Sequence, residues 1–116
     1  METPLLDRGL IDEIRRIERA TGRNDVLSAF VQKLESSLAG FGAAFSDYIT
    51  RGDTTGAVRA AHTLKGTCHQ LGAQALGDLF ADIERSAKAG DYADAKRKFD
   101  GAASLIARSL EALKQA

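Results

Sequence analysis

Apolar residues recur every three or four positions through almost the whole chain, and no stretch alternates strictly enough to read as a strand. The spacing predicts five helices with short connections. Residues 1–6 read as a loose lead-in, and Pro4 sits there, where it breaks nothing. A first helix over about 7–21 carries Leu10, Ile11, Ile14 and Ile17 as packing residues, with Gly22 as its stop. Asn24 or Asp25 can cap a longer second helix that runs to about Thr50. Its stripe is Leu27, Phe30, Val31, Leu34, Leu38, Phe41, Phe45, Tyr48 and Ile49. Gly40 and Gly42 interrupt that stripe, for close helix contact or for a bend. Gly52 ends the helix, and Asp53, Thr54 or Thr55 starts the next, over about 54–72. A fourth helix follows over about 74–89, with Leu76, Leu79, Phe80, Ile83 and Ala87 inward. Gly90 and Asp91 form a stop and a cap. A single last helix over about 92–114 places Tyr92, Phe99, Ala103, Ile106, Leu110 and Leu113 inward.

Four helices with short connections imply an all-α fold, an antiparallel up-and-down four-helix bundle with the short additional N-terminal helix lying across one end. The expectation is one domain over residues 1–116, and a bundle complete within one chain favours a monomer.

The third helix has the most informative surface. Ala57, Ala60, Ala61, Leu64, Cys68 and Leu71 form its apolar stripe, and Val58, Arg59, His62, Lys65, Gly66 and His69 lie opposite. Gly66 is the odd choice. A mid-helix glycine costs roughly 1 kcal/mol relative to Ala, and an outer face offers no packing gain to offset it. Close approach of another molecule to His62 is a physical reason for the missing side chain.

Composition narrows the functional classes. Sixteen basic residues balance sixteen acidic ones, and no like-charged block tracks a phosphate backbone, so nucleic acid is not expected as a partner. No apolar run is long enough to span a bilayer, and no basic-then-apolar leader opens the chain. The single cysteine excludes an internal disulfide and suits a reducing, cytoplasmic setting. Two histidines and one cysteine supply a metal site poorly. A His62/His69 pair would stand about 10 Å apart along the helix axis at 1.5 Å per residue, too far for one ion.

The run His62-Thr63-Leu64-Lys65-Gly66-Thr67, followed by Leu71-Gly72-Ala73, resembles the histidine-containing phosphotransfer (HPt) domains of two-component phosphorelays, whose pattern is His-x-Leu-Lys-Gly-Ser/Thr and then Leu-Gly. Chain length and helix order are similar to that family as well. The resemblance implies that His62 is the phosphoacceptor, attacking through Nε2. It implies that Glu84, at the family's offset in the fourth helix, accepts a hydrogen bond from Nδ1 and orients the ring. By the sequence alone, without the family offset, the favoured reading of Glu84 is a solvated helix residue within pairing distance of Lys88 at i+4. Lys65, one turn beyond His62, is expected to stabilise the phosphoryl oxygens, and Gly66 to leave access for an aspartate loop. Thr67 can bond back to a backbone carbonyl. Val58 and Arg59 are candidate docking residues. His69 is another, where the family commonly has a small side chain; a plain surface histidine is its alternative.

Imidazole suits a carrier because its free pKa of about 6.5 leaves much of it neutral and nucleophilic near pH 7. No glycine-rich phosphate loop is present, so the expectation is a phosphoryl carrier without its own ATP site and not an enzyme. No cofactor is implied for the chain itself; Mg²⁺ belongs to the receiver partner. The implied partners are response-regulator receiver domains and a hybrid histidine kinase. Two other readings stay open: a helical adaptor that is never phosphorylated, and a histidine-kinase dimerisation domain. The second sits poorly with Thr63, where that class has an acidic residue after its histidine.

Overall fold

The computed structural model describes residues 3–116. Among them are six helices and no strand: α1 (Arg8–Thr21), α2 (Val26–Thr50), α3 (Thr54–Leu71), α4 (Gln74–Lys88), α5 (Tyr92–Asp100) and α6 (Ala103–Gln115). No helix among the described residues is long and apolar enough to cross a membrane.

Local chemistry sets the boundaries. Asp53 caps α3 by accepting from the Gly56 amide at 2.8 Å, and Asp91 caps α5 through the Asp94 amide at 3.0 Å. Gly72 ends α3 at φ 86°, in the left-handed region, where a side chain would be strained. An added Cβ there would also crowd the Asp7 carbonyl at 3.2 Å and the Ile11 side chain at 3.1 Å. The Asp7 amide donates to the Gly72 carbonyl at 2.7 Å. The chain before α1 is therefore tied to the end of α3. Leu6 is buried and Leu5 partly so, which corrects the loose lead-in expected over residues 1–6; residues 1–2 of that stretch lie outside the described residues.

The start of α2 departs from its expected cap. Asp25 occupies the N-cap position but its side chain makes no capping bond. Glu18 of α1 does this instead, accepting from the amides of Val26 at 2.9 Å and Leu27 at 3.1 Å. Arg15 donates to the other Glu18 oxygen at 2.7 Å. The Arg15 hydrogen bond, then the Leu27 amide, holds the Glu18 carboxyl below its usual range despite the opposing effect of burial.

The expected last helix is two helices. Its register breaks at Gly101–Ala102, where Gly101 donates to the Arg97 carbonyl and Ala102 to the Phe99 carbonyl, both at 3.0 Å. Both residues keep negative φ, so the chain kinks instead of reversing. The apolar period continues through the break, which is why the pattern did not reveal it.

The core lies among α2, α3, α4 and the inner sides of α5 and α6. Ala57, Ala61, Cys68, Gly77 and Ala87 are small and buried, which allows α3 and α4 to approach closely. Phe41 meets Phe45, Phe80 and Phe99 at centroid distances of 5.2, 5.1 and 4.8 Å, joining α2, α4 and α5. Gly42 lets Phe99 come close: a Cβ there would sit 3.0 Å from its ring, whereas one at Gly40 would meet nothing. Between α4 and α5, the Ser86 hydroxyl donates to Asp94 at 2.7 Å and Lys98 donates to the Ser86 hydroxyl at 2.9 Å.

Four expected core residues are exposed: Leu10 at 38%, Ile17 at 49%, Phe30 at 48%, and Ala103, whose place inward is taken by Ala102 at the kink. The α1 helix touches α2 and α3 along one narrow line through Ile11, Ile14 and Glu18, so residues one position to the side face water. Phe30 lies just off the α2 seam of Leu27, Val31 and Leu34 for the same reason.

Burial pushes the Cys68 thiol up to about 12. At pH 8, Ellman's reagent should therefore leave the native protein unmodified and titrate one thiol once denaturant is added; rapid reaction of the native protein would contradict this packing.

Candidate functional site

The close α3–α4 contact brings His62 and Lys65 of α3 over Glu84 and Lys88 of α4. Glu84 is at the centre. Its side chain is only 6% exposed, yet three groups converge on it: His62 Nδ1 at 3.2 Å, Lys65 Nζ at 2.9 Å and Lys88 Nζ at 3.1 Å. Glu84 is not the solvated residue that periodicity alone suggested, although its i+4 contact with Lys88 is present beside the contact with the imidazole. Burial exerts the largest influence on its carboxyl and works to raise the pKa. The hydrogen bonds from Lys65, Lys88 and His62 together outweigh it, and the group is lowered to about 2. Glu84 is thus a carboxylate near neutral pH.

That charge state decides the histidine tautomer. A carboxylate only accepts, so the proton of a neutral His62 ring sits on Nδ1, and Nε2 carries the lone pair. The His62 side chain is 64% exposed. The inner nitrogen is held and the outer edge of the ring faces water.

Gly66 lies one turn on, and an added Cβ would meet nothing within 4 Å. No internal packing calls for a glycine here. Thr67 donates to the Thr63 carbonyl at 3.0 Å, which keeps its hydroxyl on its own helix. Lys65 is less free than a surface lysine: its side chain is 29% exposed and lies against Glu84 Oε1.

Beside the ring, toward the start of α3, is a solvent-open recess of about 450 Å³ lined by Thr54, Thr55, Val58, Arg59, His62, Glu84 and Lys88. A second groove of about 510 Å³ runs between α2 and α3, with Gly40, Tyr48, Arg59 and Thr63 among its walls. Arg59 borders both. His69 leans onto α4, where its Nε2 lies 3.0 Å from Asp78 Oδ1. Its ring covers Gly77, where a Cβ would fall 2.2 Å from the imidazole. The glycine at 77 is the structural counterpart of the histidine at 69, a link between helices that no spacing rule within one helix exposes.

Among the described residues, no group of three or more His, Cys, Asp or Glu side chains is placed to hold a metal ion. The residue that sequence reasoning missed is Lys88, which entered only as a competing partner for Glu84. Its spacing from Glu84 was visible; its place on the wall of the His62 recess was not.

The Hpt domain family model matches residues 25–116, most of the chain and all of α2 to α6. The chain belongs to the Hpt domain family, whose members are phosphocarriers in two-component systems and generally interact with receiver domains and kinases. Comparison with curated proteins and with solved structures returns no match.

A depressed carboxyl contributes stability above its unfolded value, here about 4.5, and loses it as pH falls through its folded value of about 2. The stability difference between wild type and Glu84→Gln, from urea melts, should therefore shrink between pH 4.5 and 2 and stay level above pH 5. In ¹⁵N NMR at neutral pH, Glu84→Ala should lower the Nδ1–H population of neutral His62. A flat stability difference with an unchanged tautomer would separate Glu84 from the ring.

Proposed function

We propose that this protein is a histidine phosphotransfer protein that shuttles a phosphoryl group between receiver-domain aspartates through phospho-His62. The observation that carries the reading is the ring itself: its outer edge is open to solvent while its inner nitrogen rests on a nearly buried carboxylate. In this scheme the Nε2 lone pair attacks the phosphorus of an aspartyl phosphate. The P–O bond breaks, the N–P bond forms, and the aspartate leaves as a carboxylate. The Nδ1 proton stays where it is, so the ring becomes an imidazolium facing Glu84, and no proton has to leave the site. The reverse step expels a neutral imidazole, which makes the transfer reversible. Positioning and charge stabilisation supply most of what such a transfer needs.

The remaining residues take supporting parts. Lys65 meets the phosphoryl oxygens by sharing or leaving Glu84. Gly66 leaves room for the partner's aspartate loop. Val58 and Arg59, on the wall of the recess, form the near docking surface, and His69 offers the exposed edge of its ring farther along α3. The α2, α3 and α4 helices with the α5–α6 pair act as the antiparallel four-helix bundle, in a monomeric, cytoplasmic carrier. Its partners are a hybrid histidine kinase and response-regulator receivers, which contribute the Mg²⁺.

Incubation with a panel of phosphorylated receivers tests this directly. Wild type should gain an acid-labile, alkali-stable label, and His62→Gln should gain none. A folded wild type that no receiver labels favours an adaptor, and label on His62→Gln places the chemistry elsewhere. Gly66→Gln should keep the helical circular dichroism yet slow transfer by roughly ten- to a hundredfold, since small misplacements of reacting groups cost that much. Transfer at the wild-type rate would remove the argument from access.

A further inference from the structure

The second histidine of the chain also lies across the α3–α4 seam, in the opposite sense. The oxygen that faces His69 Nε2, Asp78 Oδ1, already accepts from Gln74 Nε2 at 3.4 Å, so the neutral His69 ring donates to it from Nε2. His62 does the reverse, giving Nδ1 to Glu84 and turning Nε2 outward. With Nε2 spent on Asp78, His69 does not present that nitrogen to a second phosphoryl group. The two rings nevertheless share one register. The partner of His62 lies farther along α4 than the partner of His69, so α3 and α4 run antiparallel. His62 is eleven residues before Ala73, in the turn between these helices, and Glu84 is eleven after it; His69 is four before and Gly77 four after. In an antiparallel pair, residues equally far from the turn stand at the same height. His69 over Gly77 and His62 on Glu84 are therefore two rungs of one ladder, about 10 Å apart at 1.5 Å per residue.

We infer that His69 is a positioning residue for phosphotransfer: its ring, seated over Gly77 and bonded to Asp78, sets the height of α3 against α4 and so holds the His62 imidazole on Glu84. The inference rests on the phosphotransfer reading above. The rest of the seam shows why such a stop is needed. Ala57, Ala61 and Cys68 of α3 and Ala87 of α4 are small and buried. Small side chains admit close approach but interlock little, so they resist axial sliding weakly. A large ring bearing on a bare backbone, with a hydrogen bond at its tip, fixes both height and rotation. Its effect reaches His62 because α3 is one unbroken helix from Thr54 to Leu71. Filling space does not by itself call for the pair, since two small side chains at 69 and 77 would also close the seam. What that exchange would lose is the bond to Asp78. The consequence for the reaction is large, because a misplacement of about 1 Å at a reacting group costs up to roughly a hundredfold in rate.

The test follows transfer from a phosphorylated receiver by rapid quench over a range of receiver concentrations, beside ¹⁵N NMR of both imidazoles. His69→Ala should lower the limiting transfer rate roughly tenfold while the half-saturating receiver concentration stays within about twofold of wild type. It should also lower the Nδ1–H population of neutral His62. Asp78→Ala, at a side chain 45% exposed, removes the bond without opening the core and should act in the same direction. His69→Gln, whose amide nitrogen can reach the place of Nε2, should recover most of the rate. Gly77→Ala should slow transfer in the wild-type background, where the new methyl displaces the ring, and should have no further effect in His69→Ala. If His69→Ala and Asp78→Ala keep the wild-type limiting rate and His62 tautomer, the inference about His69 is wrong and the phosphotransfer reading stands. A raised half-saturating concentration with an unchanged limiting rate would make His69 a docking residue only, which also overturns positioning. If wild type takes phosphoryl from no receiver, both readings fall together.

Discussion

The buried carboxylate of Glu84 is the constraint on which the rest of the site depends. A carboxylate removed from water must be compensated by charge and hydrogen bonds, or it takes up a proton. Here the compensation is a pair of lysines and one imidazole N–H. Each of these groups is thereby fixed by the need of another. The lysines keep Glu84 ionised, the ionised carboxylate assigns the proton of the ring, and the assigned proton turns the lone pair outward. One interaction thus specifies position, tautomer and nearby charge.

That arrangement requires two helix backbones at close range and in a fixed axial register. The small buried residues along α3 and α4 allow the approach, and the aromatic cluster around Phe41 and Phe80 ties α4 to α2 and α5. His69 over Gly77 adds a second, directional link two turns away from His62. Sites mounted on packed helices hold their geometry better than sites on loops. The same rigidity limits what can move here to side-chain rotation, above all of the long, exposed lysine stems.

Much of the fold was legible in the sequence because helix periodicity, aspartate caps and terminal glycines agreed with one another at nearly every boundary. The failures have physical causes. The kink at Gly101 keeps the apolar period, so a pattern that counts residues passes through it. Leu10, Ile17 and Phe30 have the right spacing, but a helix that touches its neighbours along a narrow line buries fewer residues than its stripe suggests. Ser109 is fully buried where a polar residue would be assigned to water. At the site, His62, Lys65 and Gly66 share one helix and could be read as a group. Glu84 needed the family offset, because the distance between two helices is not written in the spacing along either one. Lys88 was hidden further, since an i+4 partner of a glutamate is usually an ordinary surface pair.

The region of family resemblance starts at residue 25, whereas two of the first amide groups of α2 are satisfied by Glu18. The cooperative unit of this protein therefore extends past the segment by which its kinship is known. A fragment trimmed to the matching residues would keep every group that surrounds His62 and still lose the clasp that closes the leading end of its longest helix. Borders drawn from kinship and borders drawn from hydrogen bonding need not coincide, and here they differ by one helix.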